Sequence, residues 1–241
     1  MKMQKYKKDF TYSYAFGVFV TLELLKYQLA KAIKVIYDAA GEKNQGLQEI
    51  RKICQQHTIP LERHDGLMAK LSGKENTYAI GVFKKYQSAL DVGANHLVLV
   101  NPADSGNLGA IIRTTLGFNI TNLVIIRPAV DIFEPKTIRA SMGALFQMRF
   151  QYFDSFKSYQ RQHKNAVYPF MTDSARSLTD TKFSPPFSLV FGRESAGLPS
   201  EYKNYGQTVK IEQSDKIDSL NLPVAVAIAL HQSYTQIAKA G

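Results

Sequence analysis

Three short stretches of the chain set glycines beside polar side chains where a strand would run into a turn. In "NPADSGNLGAIIRTTLGF", 101 to 118, Gly106 and Gly109 bracket Asn107 at the entrance to a helical pattern, and Arg113 follows less than two turns later. That pair could bring a carboxamide and a cationic fork to one pocket. Equally, Asn107 could cap the helix while Arg113 faces solvent, as most arginines do. In "LVFGRESAGLPSEY", 189 to 202, an apolar strand runs into Gly192, and Gly197 follows. Glycines there suit a close approach of backbone to a flat ligand. Glu194 is then either a carboxylate held at a strand's carboxyl end or an ordinary exposed loop glutamate. In "KIDSLNLPVAVAIAL", 216 to 230, Ser219 and Asn221 precede an apolar run from Leu222 to Leu230 that predicts a buried helix. Ser219 reads as the N-cap and Pro223 as a first-turn residue whose missing N–H costs nothing. Capping leaves Asn221 unexplained.

Other chemistries fit these stretches poorly. A dinucleotide site needs G-x-G-x-x-G and an acidic residue closing the next strand; the first is absent and that strand ends in "IIRP". A hydrolase using Ser195 would need G-x-S-x-G, and position 193 is arginine. His57, His64, His96, His163 and His231 show no ligand spacing among themselves or with Cys54, so no metal is expected and most of them read as surface residues.

The elements that must hold these stretches follow a regular order in the second part of the chain. "HLVLVNP" reads as a strand, "GNLGAIIRTTLGF" as a helix and "NLVIIRP" as a strand. Then come helix 135–141, strand 145–150, helix 154–162, strands 166–171 and 187–191, and the long helix 219–238. Strands alternating with helices predict an α/β fold with a parallel sheet, whose chemistry belongs at the carboxyl ends of its strands. Earlier residues, from about 12 to 90, read as a smaller α/β layer: helix 17–32, strand 33–37, helix 45–57 and a strand near 78–83. "LSGKEN", 71 to 76, interrupts that layer as a turn-rich segment.

Bulk properties narrow the partners. The chain has 241 residues, 45% of them hydrophobic, and a formal net charge of +10. Such a composition builds a real core, and the charge favours polyanions, nucleic acid above all. One cysteine excludes an internal disulfide. The basic leader and apolar stretch from Tyr14 to Leu22 imitate a signal peptide, but Glu23 and Lys26 interrupt it and no small-residue cleavage site follows. No segment reaches the roughly 18 uninterrupted apolar residues of a membrane span, so a cytoplasmic protein is expected.

Taken together and in this order, the three stretches resemble the three motifs of the SpoU (TrmH) family of the SPOUT class of RNA methyltransferases, over about residues 95 to 240. The resemblance implies S-adenosyl-L-methionine as cofactor and transfer of its methyl group to a ribose 2′-hydroxyl of ribosomal or transfer RNA. It implies a catalytic domain over 95–241 whose C-terminal segment is threaded into a trefoil knot, an exception to the rule that chains are unknotted. Residues 1–90 resemble an L30e-like RNA substrate-binding domain, and a homodimer with the active site near the subunit interface is expected. Catalytic positions carried over are Asn107, Arg113, Glu194, Ser219 and Asn221. Cofactor contacts fall on Gly192, Ile211 and Leu220. Apart from the resemblance, Arg113 and Arg139, the latter in "KTIRASMGAL", are candidate contacts to RNA phosphates. The chain departs from the family where many relatives have Ile-Pro-Met: here it reads "IEQ", 211 to 213. A guanidinium has donors and no acceptor, so Arg113 serves better as a fork on a phosphate than as a base. The alternative is a non-catalytic RNA-binding protein that keeps the fold.

Overall fold

The computed structural model describes residues 3–72 and 77–240. In chain order the elements are β1 (Tyr12–Phe16), α1 (Val18–Tyr27), β2 (Ala32–Tyr37), α2 (Gln45–Gln56), β3 (Leu61–Arg63), α3 (Asp65–Ser72) and β4 (Ala79–Lys84). They continue with β5 (His96–Val100), α4 (Ser105–Gly117), β6 (Asn122–Ile126), α5 (Pro135–Ala140) and β7 (Arg149–Phe153). The last are α6 (Phe156–Gln162), β8 (Ala166–Pro169), β9 (Phe187–Phe191) and α7 (Leu222–Ala240). The chain divides into two compact units. One holds the chain up to Tyr86 together with Asp131–Gln147; the other holds Gln87–Val130 and everything from Met148 on.

The first unit is built on a four-stranded sheet in the order β1-β4-β2-β3, with only the β2–β3 pair parallel. α2 is amphipathic: it buries Leu47, Ile50 and Cys54, and the Asn44 side chain caps it by accepting the Leu47 N–H at 3.2 Å. The strand β1, and also β3 and α3, have no counterpart in the sequence reading. "YSYAF" is buried at every position, so it lacks the alternation that marks a half-exposed strand. α3 takes up the first residues of "LSGKEN", whose positions 73–76 lie outside the described residues. The helix expected over 17–32 ends at Tyr27, because Gln28 leaves helical geometry with φ −134°.

Asp131–Gln147 lies in sequence between two strands of the second unit, yet it packs in the first. Ser13 donates to the Phe133 carbonyl at 2.6 Å, and the Phe146 ring meets Phe83 edge-on at 5.2 Å. The strand expected over 145–150 therefore begins only at Arg149. Met142 and Gly143 take φ values of 51° and 80°, and Ala144–Gln147 forms a 3-10 turn that buries Leu145 and Phe146.

The second unit carries a five-stranded sheet, parallel throughout, in the order β7-β6-β5-β9-β8. β5, β6 and β9 are buried along their whole length, as strands covered on both faces are. Their side chains join Phe153, Phe156 and Tyr159 in the core. α4 packs against α7. One face of α7 is buried, through Leu222, Val226, Ala229 and Leu230, whereas Val224 and Ile228 stay exposed, so the apolar run from Leu222 is not the fully buried helix expected. His96 reverses another expectation: it lies wholly inside the sheet layer rather than at the surface. Among the described residues no helix is long and apolar enough to cross a membrane.

Candidate functional site

The order of the parallel sheet decides where a ligand can sit. From β5 the chain steps outward through β6 to β7, then returns on the other side as β8 and β9. The reversal falls between the neighbours β5 and β9, and loops leaving the carboxyl ends of such a pair diverge to open a crevice. These are the loops that carry the first two polar stretches.

After β5, Asn101 turns the chain with φ 54°, and Asp104 caps α4 by accepting the Asn107 N–H at 2.8 Å. Asp104, not Asn107, is thus the cap. This frees the Asn107 carboxamide, which donates to Glu194 Oε1 at 3.3 Å. Glu194 also accepts the backbone N–H groups of Ala103 and Asp104, at 3.3 and 3.4 Å. The carboxylate therefore joins the loop after β9 to the start of α4. It is no ordinary loop glutamate.

The loop after β9 is closed on itself by the Gly197 N–H, which donates to the Arg193 carbonyl at 2.8 Å. A Cβ on Gly192 would lie 2.0 Å from the Gly197 carbonyl carbon, and Gly197 takes φ +65°. The glycines are required by the loop's own backbone contact. The strand is not followed directly by a helix, so the strand–turn–helix of a nucleophile elbow around Ser195 is missing as well.

Beneath this loop lies a cavity of about 270 Å³. Its floor is apolar: Phe170 and Phe191 stack at 4.3 Å with an interplanar angle of 11°, beside Val209 and Leu222. Its rim is polar, with Glu194, Gln213, Asp218 and Ser219. Gln213 donates to the carbonyls of Ile217 and Asp218, at 3.2 and 3.1 Å, and so folds up the segment just before Ser219.

Of the positions singled out in the sequence, Gly192, Glu194, Ile211, Ser219 and Leu220 line this cavity. Asn107 reaches it through Glu194. Asn221 does not line it. Its carbonyl accepts the Ala225 N–H at 3.0 Å at the start of α7, so the helix begins two residues later than a Ser219 cap would have it. Arg113 is exposed on α4 and outside the cavity. Six residues turn a helix by about 600°, which leaves Arg113 roughly 120° around the axis from Asn107. Arg139 belongs to the first unit, with its guanidinium 5.2 Å from the Phe16 ring centre, and burial lowers its pKa from the usual arginine value. Sequence reasoning missed the aromatic floor, since nothing marks Phe170 or Phe191 among the apolar strand residues. It also missed Asp218 and Gln213, although the departure at 211–213 signalled the latter.

A model of the SpoU rRNA Methylase family matches residues 94–231, more than half of the chain. The chain belongs to the SpoU rRNA methylase family. Among similar proteins, an uncharacterized tRNA/rRNA methyltransferase of Archaeoglobus fulgidus is 28% identical over 204 residues, 83% of this chain and 90% of its own length. A 23S rRNA (uridine(2479)-2′-O)-methyltransferase of Streptomyces viridochromogenes is 28% identical over 144 residues, 56% of this chain and 50% of its own. The fold matches the crystal structure of a SpoU methyltransferase from Streptomyces viridochromogenes in complex with AdoMet, with a TM-score of 0.83 at 18% identity. That match covers 95% of this chain and 92% of the other.

Proposed function

We propose that this SpoU protein is an S-adenosyl-L-methionine-dependent methyltransferase acting on the 2′-hydroxyl of a ribose in ribosomal or transfer RNA. The observation that carries the reading is the Glu194 junction. One carboxylate ties the α4 entrance to the loop after β9, at the sheet's switch point and at the rim of a cavity that Ser219 and Leu220 also line. The cavity's composition suits the cofactor: a flat apolar floor for an aromatic base, and a polar rim for a charged tail. Gly192, Ile211 and Leu220 would hold it, largely through backbone.

When bound, the cofactor supplies an electrophilic methyl group on a positively charged sulfur, which leaves the chain to align the hydroxyl and manage its proton. Glu194 and Asn107 hold the two loops in register. Ser219 and Asn221 orient the ribose at the entrance of α7. Arg113 forks onto the adjacent phosphate, and the hydroxyl proton passes to a phosphate oxygen or water. Arg139, on α5, adds a second RNA contact; residues 1–90 serve as the L30e-like RNA-binding domain and 95–241 as the catalytic domain.

Two further features belong to this reading. The C-terminal segment is threaded as a trefoil knot. In support, Val209 bonds Pro169 and Met171 on one side while Lys210 bonds Arg176 and Leu178 on the other, so both limbs of the loop between 169 and 178 flank one passing strand. The protein is a homodimer. Val224 and Ile228, one turn apart, leave an apolar strip of α7 exposed, and Arg113 lies outside its own chain's cavity, where a partner copy would bring the two together. It works in the cytoplasm, with its RNA.

The test is transfer of tritium from labelled S-adenosylmethionine into bulk ribosomal and transfer RNA, followed by mapping of 2′-O-methyl sites. Arg113→Ala is expected to cut that transfer by about 10²-fold; unchanged transfer sinks the role given to Arg113. Absence of S-adenosylmethionine binding in calorimetry would return the chain to the alternative of a non-catalytic RNA-binding protein.

A further inference from the structure

Arg193 sits between Gly192 and Glu194, and its backbone is held firmly. A Cβ at Gly192 has no room, and the Arg193 carbonyl accepts the Gly197 N–H at 2.8 Å. The side chain is free by contrast. It is exposed, and among the described residues its guanidinium takes part in no ion pair. A charged fork fixed at its root and unengaged at its tip costs stability nothing to hand to a ligand.

Its position says which ligand. Arg193 lines the cavity below the loop, and it also lines an open cleft on the other side, formed with Ala103, Asp104, Asn107, Glu194 and Ser195. Three residues are common to the two hollows: Arg193, Glu194 and Ser195. The Glu194 carboxylate is turned inward onto two backbone amides and the Asn107 carboxamide. Asp104, the cleft's other carboxylate, accepts the Asn107 N–H in capping α4. At the wall shared by the hollows, the cation that faces outward is therefore Arg193.

We infer that Arg193 is an RNA-positioning residue, whose guanidinium takes a phosphate of the substrate strand in the open cleft while the target ribose meets the cavity. This rests on the methyltransferase reading above. The chemistry suits the place. Phosphates flank every ribose of an RNA chain, a planar guanidinium binds a phosphate through two parallel hydrogen bonds, and the chain's charge of +10 draws the polyanion in. Arg193 and Arg113 would then grip the strand from different elements, the loop after β9 and the helix α4.

The experiment measures apparent KM for bulk ribosomal and transfer RNA, and separately for S-adenosylmethionine, over a series of potassium chloride concentrations. Arg193→Ala is expected to raise the RNA KM about tenfold. It leaves the S-adenosylmethionine KM in place and lowers the slope of log KM against log salt by roughly one phosphate contact. Arg193→Lys keeps the charge but loses the fork, so it restores the slope and only part of the KM. A rise in the S-adenosylmethionine KM instead would assign Arg193 to the cofactor and overturn the inference, as would an RNA KM and slope that do not move. Wild-type protein that transfers methyl groups while Arg193→Ala behaves identically sinks this inference alone. Wild-type protein that methylates no RNA sinks the function with it.

Discussion

The strands β5 and β9 lie side by side, and their two ends are opposite kinds of place. At the amino ends, His96 Nδ1 lies 2.8 Å from the Tyr159 hydroxyl, which in turn lies 2.5 Å from Ser188 Oγ. All three side chains are fully buried. Burial, helped by the nearby His163, pulls the His96 pKa down to about 4, and burial pushes Tyr159 up to about 12. At the carboxyl ends the polar groups meet through longer bonds of 3.3 to 3.4 Å, around a half-buried Glu194 and beside open hollows. A sealed polar cluster has to satisfy itself, because no water or ligand will do so. Groups at the open end keep bonding capacity to give to a substrate. One sheet register thus builds a stabilising end and a chemical end from the same two strands.

That division can be broken most directly at Gly192. Gly192→Ala puts a methyl group 2.0 Å from the Gly197 backbone, so the loop after β9 must move. Methyl transfer should fall by more than about 10²-fold, because small misplacements at a reacting centre cost that much. Transfer rates would show it, and wild-type rates would mean that the loop is not part of the site.

The sealed end makes a prediction about acid. His96 has an ordinary value near 6.5 once unfolded and about 4 when folded. Between those values the unfolded chain binds a proton that the folded chain refuses. Its contribution to stability is therefore complete above pH 6.5 and is lost as the pH falls toward 4, by about 3 kcal/mol. Urea denaturation across that range, repeated with a His96→Gln variant, should show the loss in the wild type and a flatter profile in the variant. Equal slopes would refute it.

A smaller effect sharpens the contrast. Glu194→Gln keeps the shape of the side chain but turns one acceptor into a donor facing N–H groups. Transfer should drop about tenfold while urea stability changes by less than about 1 kcal/mol, since the groups concerned can reach water. A large loss of stability would mean that the junction belongs with the sealed end after all.

Much of the second unit was legible in the residues. β5, β6 and β9 are short apolar runs closed by turn residues, and helix entrances rich in Ser, Asp, Asn and Pro mark α4 and α7. The three polar stretches were legible for the same reason: glycines beside polar side chains at the end of a strand are rarely neutral. Errors fall where tertiary contacts override local pattern. "LFQM", the start of the strand expected over 145–150, reads as extended, but two left-handed residues just before Ala144 and a place in the first unit's core put Leu145–Gln147 in a turn. His96 looks like one more polar residue until Tyr159 and Ser188, distant in sequence, supply its partners.

By itself, then, the sequence determined the element types of the second unit, the polyanion preference, and a set of polar residues typical of one family. Those depend on local periodicity, net charge and motif spacing, which need no neighbours. Only the tertiary structure decided that Asp104 rather than Asn107 caps α4 and that Glu194 joins two loops. It alone decided that Phe170 and Phe191 floor a cavity, and that Arg193 stands at the wall between two hollows. Those facts depend on which strands are neighbours, and pairing between β5 and β9 sets side by side loops that lie some 90 residues apart in the chain.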